Sequence, residues 1–242
     1  LNQDSLVKTI NFDNMIYIGD PVNTVRIFNE LEVDELIFLD IRASSENRSP
    51  KFQVLRDIAN ECFMPLSYGG GISSLSDAKN IFDIGFEKIV LNSHAVTNPS
   101  LINEISNYFG NQAVIVSIDV KKSFFGKKTV YTLGGKFNTK YNPVSWAKEV
   151  ESLGAGEIFL TSINQEGTWS GFDLELIKSI TDSVSIPVIA HGGAGTTEDI
   201  IEVVKKSNAS AVGLGSMVVF QKKGMGVLIN VPDENQLKEI LH

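Results

Sequence analysis

"YGGGISSLSDA" at Tyr68–Ala78 sets an apolar approach, three glycines and a polar, helix-starting run in succession, and "AHGGAGTTEDI" at Ala190–Ile200 repeats that order 122 positions later. At that offset the match spreads outward in both directions. Pro21 meets Pro143, Glu35 meets Glu157, Ile41 meets Ile163, Pro65 meets Pro187, Gly70 and Gly71 meet Gly192 and Gly193, Asp77 meets Asp199 and Val90 meets Val212. A constant offset held through strand, loop and helix is the mark of a duplicated half.

The units being repeated are short. Apolar runs rich in Val, Ile and Leu begin at Glu35 (ELIFLDI), Pro65 (PLSYGG), Lys88 (KIVLN), Ala113 (AVIVSID), Glu157 (EIFLTSI), Pro187 (PVIAHGG) and Ala211 (AVGLGSM). Such runs read as buried parallel strands. Amphipathic stretches lie between them, such as "PVSWAKEVESLGA" from Pro143, with proline in the first turn and glycine past the end. One longer interval holds "KKTVYTLGGKFNT", a hairpin with Gly134 and Gly135 at its turn. Alternating strands and helices in two similar halves predict an α/β fold, a (β/α)8 TIM barrel with an internal two-fold repeat, spanning residues 1–242 as one domain. The seven visible strands leave the first one unaccounted for. It is expected upstream of Leu1, within about ten further residues that hold a strand and a short lead-in, which makes "LNQDSLVKTINFDNMIYIGD" the long loop that follows it.

The bulk chemistry limits the partners. Hydrophobic residues make up 43% of 242, enough for a sizeable core, and a net charge of −8 with pI near 5.0 argues against nucleic acid or an anionic membrane as the main partner while leaving room for a local anion site. No apolar run approaches the ~20 residues of a membrane span, and the first residues lack a signal peptide's pattern. Cys62 is the single cysteine, so no internal disulfide forms and a cytoplasmic setting is expected; its junction between helix and strand suits a buried structural residue.

Active sites of such barrels collect at the carboxyl ends of the strands, where both glycine loops fall. Glycine lets backbone amides approach a ligand, and a helix start favours an anion. "GGGI" pairs with Asn92 and Ser93 one strand later, and "HGGAG" with Gly215 and Ser216. Two phosphate sites facing each other across the mouth are expected, hence a small substrate with a phosphate at each end. Tight turns alone would explain one such loop but explain two less well. Carboxylates are few at that face: Asp119, Asp40 and Glu166. A strand-end carboxylate partly removed from water suits acid–base work; for Asp119 the competing role is a helix cap. His191 is placed in the pocket, His94 near a strand end, and His242 carries no signal. No His, Cys or carboxylate spacing points to a metal, and no cofactor is expected.

The strings "GDPV", "DELIFLDI", "GGGI", "LNSHAV", "IDVK", "SWAKEVESLGAGEI", "LTSINQEGTWSGFDLEL", "IPVIAHGGAG" and the closing "LKEIL" resemble the cyclase subunit of imidazole glycerol phosphate synthase, the HisF family, over nearly the whole chain. The resemblance implies a barrel that takes ammonia from a glutaminase docked on its amino-terminal face. It would join that ammonia to a bis-phosphorylated ribulosyl aminoimidazole carboxamide ribotide, giving imidazole glycerol phosphate and an aminoimidazole ribotide. It further implies two facing catalytic aspartates, of which Asp119 matches the second while the first belongs to the strand expected upstream. Lys8 matches the lysine of a closing loop. Gly71, Asn92 and Ser93 match one phosphate site, and Gly167, Gly193, Gly215 and Ser216 the other, with Thr161, Glu166 and His191 lining the substrate. Glu35, Lys88 and Glu157 match residues around the ammonia entrance, where charges turned inward need mutual pairing. Their alternative is ordinary solvation at strand starts.

Three departures bear on function. Asn164 and Glu166 stand where the family has two aspartates, His191 stands where serine is common, and the tail "QKKGMGVLIN" after Phe220 is unusual. These resemble a HisF-like branch that serves amidation of surface-polysaccharide sugars. Two readings follow: a cyclase, or an ammonia-passing subunit for a separate sugar amidotransferase. A phosphosugar isomerase on the same plan would need no ammonia entrance.

Overall fold

A computed structural model describes residues 1–232 and Leu237. Apart from Leu237, the closing "LKEIL" and His242 lie outside the described residues. In chain order the elements are β1 (Leu6–Ile10), β2 (Asp13–Gly19), α1 (Pro21–Glu30), β3 (Leu36–Leu39), α2 (Phe52–Glu61), β4 (Leu66–Gly69), α3 (Leu75–Ile84), β5 (Lys88–Leu91), α4 (Ser93–Thr97) and α5 (Ser100–Phe109). There follow β6 (Val114–Lys122), β7 (Lys128–Thr132), β8 (Phe137–Asn138), α6 (Pro143–Ser152), β9 (Glu157–Ser162), α7 (Leu174–Thr181), β10 (Val188–His191), α8 (Thr197–Ser207), β11 (Ala211–Gly213) and α9 (Ser216–Val219).

Seven parallel strands run in the order β11-β10-β9-β6-β5-β4-β3, with helices between successive strands, an α/β barrel of the TIM type. Leu1 lies along the free side of β3: its amino group donates to the Leu39 carbonyl, and Ile41 N donates to the Leu1 carbonyl at 3.1 Å. The repeat seen in the sequence is visible element by element. α1 and α6 both start at a proline behind a capping side chain, Asp20 or Asn142. α3 and α8 start behind Ser74 and Thr196, each accepting from the amide of an aspartate three residues on, Asp77 or Asp199.

Side chains alternate along a strand, so each buried strand has an outer and an inner set. The outer set, with Leu66, Ile89, Val116, Ile158 and Val188, packs under the helices. The inner set forms layers. Glu35, Lys88 and Glu157 lie at the strand starts, an apolar layer of Val90, Ile115, Phe159 and Ile189 with Ile37 and Leu39 follows, and polar residues occupy the strand ends.

Two segments differ from the sequence reading. The stretch read as a long loop after the first strand contains the antiparallel pair β1–β2. β6 runs beyond Asp119 to Lys122 and pairs antiparallel with β7, which pairs in turn with β8, so the expected hairpin grows out of a barrel strand. Cys62 caps the end of α2 and is half-buried, its thiol donating to the Met64 carbonyl at 3.4 Å; burial raises its pKa.

Candidate active site

Asp119 on β6 is paired in register with Thr161 on β9, and Thr161 with His191 on β10. Parallel neighbours in register project to one face, so these three expected site residues form a row across the strand ends. Asp119 is buried. It accepts from Asn92 Nδ2 at 3.0 Å and Ser117 Oγ at 3.2 Å. Burial raises its pKa to about 7; hydrogen bonds from Ser117, Asn92 and Thr161 oppose the rise and the charge of Glu166 adds to it. His191 Nδ1 lies 3.1 Å from Thr161 Oγ1, and burial, with Lys8 close by, lowers its pKa to about 3.

The β1–β2 hairpin brings Lys8 to this row. Glu166, only 2% exposed, accepts from Thr9 Oγ1 and Phe12 N at 3.1 Å each and lies 3.6 Å from Lys8 Nζ, while its carbonyl takes the Asn11 amide at 2.9 Å. Lys8 Nζ reaches within 2.5 Å of where a Cβ on Gly215 would stand. Lys8, Gly167, His191, Gly193, Gly215 and Ser216 therefore line one recess, with about 10 Å³ left free. Asn164 faces elsewhere: its amide oxygen accepts from Lys122 N at 2.7 Å and its nitrogen faces the Lys122 carbonyl at 3.4 Å. An aspartate could accept there but not donate.

The other half is assembled differently. Ser93 Oγ donates to Asn92 Oδ1 at 3.3 Å and accepts from Leu133 N at 3.1 Å, and Asn92 reaches Asp119. The Gly71 amide points to Ser44 Oγ at 3.5 Å. Gly71 and its repeat mate Gly193 adopt φ of +71° and +115°, and a Cβ would meet Arg48 O at 2.3 Å and Gly171 O at 2.0 Å. Their glycine character is thus accounted for by the chain's own close approach. Asp40 is committed to structure: it accepts from the amides of Arg42 and Ala43 and from Arg48 Nη1, all at 3.1 Å. His94 sits on the short α4.

At the opposite end Lys88 Nζ bridges Glu35 Oε2 at 3.0 Å and Glu157 Oε1 at 2.8 Å, and Ser67 Oγ donates to Glu35. Burial lowers the Lys88 pKa, but the two carboxylates outweigh it and the net shift is upward. The three charges are mutually satisfied across the strand starts.

Among the described residues no group of three or more His, Cys, Asp or Glu side chains is placed to hold a metal ion, and no helix is long and apolar enough to cross a membrane. The clamp on Glu166 and the Thr161–His191 contact escaped sequence reading. Their only signal was that Glu166 and His191 departed from the family pattern at neighbouring strand ends. A surface depression of about 420 Å³, lined by Lys122, Lys128, Asn164 and Asp173 among others, was also not anticipated.

Residues 2–223 match the histidine biosynthesis protein family. The chain belongs to that family. Within it, the chain is 46% identical over 237 residues, 98% of its length and 94% of the relative's, to a Pseudomonas aeruginosa protein named, provisionally, as imidazole glycerol phosphate synthase subunit hisF2. A Leptospira interrogans protein with the same provisional description for HisF is 42% identical, over 98% of this chain and 94% of the relative. The imidazole glycerol phosphate synthase subunit HisF of Bacillus cereus is 45% identical over 211 residues, 87% of this chain and 84% of the relative. The relatives of this histidine biosynthesis family member thus include both firmly and provisionally named HisF subunits.

Proposed function

We propose that the chain is a HisF-type cyclase subunit that uses ammonia from a glutaminase to convert a bis-phosphorylated ribulosyl aminoimidazole carboxamide ribotide to imidazole glycerol phosphate and aminoimidazole carboxamide ribotide. The observation that carries this reading is the buried carboxylate of Asp119, held near neutrality on the strand-end row while the β1–β2 hairpin delivers Lys8 to the same row. A group poised near the working pH can both take and return a proton.

In this scheme the glutaminase docks at the amino-terminal face, and ammonia enters past Glu35, Lys88 and Glu157. The apolar layer of Val90, Ile115, Phe159 and Ile189 admits a neutral molecule but opposes a cation. Ammonia therefore arrives as a nucleophile at the carbonyl carbon of the ribulosyl end. One phosphate is held by Gly71, Asn92 and Ser93, the other by Gly167, Gly193, Gly215 and Ser216. Thr161, Glu166 and His191 line the substrate between them, and Lys8 closes over it. Asp119 moves the protons that accompany addition, loss of water and ring closure. A lone half-buried cysteine is compatible with a reducing, cytoplasmic setting.

The test is incubation of the protein with the ribotide and ammonium salt at high pH, without glutaminase. Formation of imidazole glycerol phosphate supports the cyclase; no product from folded protein refutes it. The departures at Asn164, Glu166 and His191 favour a second reading, in which the barrel passes ammonia to a sugar amidotransferase of surface-polysaccharide synthesis. On that reading Asp119→Asn leaves ammonia delivery intact, whereas charge reversal at Glu35 or Lys88 disrupts it.

A further inference from the structure

Ile115, Ser117 and Asp119 follow one another on the inner face of β6, because alternate residues of a strand share a side. Ile115 belongs to the apolar layer and Asp119 to the row at the strand ends. Ser117 lies between them, in register with Phe159 on β9, which is in register with Ile189 on β10 and that with Ala211 on β11. It is the one hydroxyl in a row of apolar side chains, and it is only 8% exposed. Packing alone would suit alanine there, since a buried hydroxyl is unfavourable without a hydrogen bond. Among the described residues the partner of its Oγ is Asp119, whose Oδ1 lies 3.2 Å away.

The other carboxylate oxygen is held from the neighbouring strand. Asn92, just past β5, donates from Nδ2 to Asp119 Oδ2 and to the Ser117 carbonyl, both at 3.0 Å. An amide nitrogen has two protons, so both are used. The Asn92 amide oxygen accepts from Ser93 Oγ at 3.3 Å, and Ser93 Oγ accepts in turn from Leu133 N at 3.1 Å. A main-chain amide can only donate, so each bond in this chain has its direction set and Asn92 turns its nitrogen to Asp119. The torsion that rotates a carboxylate about its Cβ–Cγ bond has only broad preferences. One donor on each oxygen supplies the constraint that the bond lacks.

We infer that Ser117 is a positioning residue: together with Asn92, its hydroxyl fixes the plane of the Asp119 carboxylate that exchanges a proton with the bound ligand. This rests on reading Asp119 as the acid–base group of the mouth. To an ionised carboxylate the hydroxyl can only donate, and a bond to a charged acceptor is stronger than one to a neutral acid. Ser117 thus also favours the ionised form, against burial and the charge of Glu166. The remaining titratable groups on this side are His191 on β10, held neutral by burial, Lys8 beside Glu166, and Tyr131, the register mate of Asp119 on β7, with Lys121 over its ring. All of them are retained in the variants below.

The first readout needs no turnover. In the full chain labelled with 13C-aspartate, the Asp119 carboxyl signal is assigned by its loss in Asp119→Asn, and its midpoint is expected near 7. Ser117→Ala should raise that midpoint by about one pH unit. Ser117→Cys, close in size but a weak donor, should raise it by less. In the ammonium-driven assay at constant free ammonia, Ser117→Ala should lower the kcat plateau about ten-fold with little change in KM, the mark of a misaligned group. The inflection of kcat/KM should move up together with the carboxyl midpoint. An Asp119 midpoint unmoved in either folded variant overturns the assignment, and so does a loss of kcat that is uniform across pH with no shift, which would make Ser117 a packing residue. If both midpoints move as expected but the wild type forms no product from the ribotide, the hold of Ser117 on Asp119 stands and the cyclase reading falls.

Discussion

Asp119→Asn removes the ionisable group and keeps its shape, which makes it the sharpest probe at the scale of one residue. On the cyclase reading it abolishes turnover while substrate affinity stays within a few-fold, and normal turnover in that variant defeats the assignment. In the wild type kcat/KM should rise with pH and level off above about 7, because the resting base is the ionised carboxylate. Stability follows the opposite course. The folded pKa lies above the unfolded one, so between about 4 and about 7 the folded chain holds a proton that the unfolded chain has lost. The favourable contribution present below pH 4 is gone above pH 7, a loss of up to about 4 kcal/mol. Asp119→Asn should therefore unfold at higher temperature than the wild type at pH 8 and at a similar temperature at pH 4. Equal melting at pH 8 contradicts a carboxylate this deeply buried.

At the scale of elements, the strand–helix alternation was legible because buried strands are continuous apolar runs and because Pro21, Ser74, Pro143 and Thr196 mark helix starts. The β1–β2 hairpin was not. Its turn uses Asn11 and Phe12 at φ of +55° and +64°, and phenylalanine gives no warning of a left-handed backbone, which costs roughly 1–2 kcal/mol. The offset comes from far along the chain, where Glu166 accepts the Phe12 amide and its carbonyl accepts the Asn11 amide. Local sequence cannot announce a turn held by tertiary bonds. Glu166→Ala should free the hairpin: amide hydrogen exchange across residues 6–19 is expected to quicken by one to two orders of magnitude, consistent with loss of bonds worth about 1–3 kcal/mol. Unchanged exchange there would remove the clamp from the account. Row membership was hidden for a related reason. Asp119, Thr161 and His191 could each be placed near a strand end, but which atoms touch depends on register between strands that are distant in sequence.

Across the whole molecule the inner face of the barrel is ordered as charge, then apolar packing, then polar chemistry, and each layer draws on both halves of the repeat. The lower layer is self-contained: Glu35, Lys88 and Glu157 retain only 24%, 21% and 19% side-chain exposure and satisfy one another. Lys88→Met strands two carboxylates together. Stability should fall by on the order of 2 kcal/mol, less than for a fully buried pair because water still reaches each group. Chemical denaturation of the two proteins checks this, and an unchanged midpoint would argue against the triad. The central claim is that one elongated ligand is gripped at both ends by the two halves of the repeat. A crystal structure of the protein with the bis-phosphorylated ribotide tests it most directly. The account predicts one phosphate within about 3 Å of the main-chain amides at Gly193, Gly215 and Ser216 and the other at Gly71 and Ser93, with the reacting atoms over Asp119. Both phosphates bound by the same half, or either one outside the barrel mouth, would contradict it.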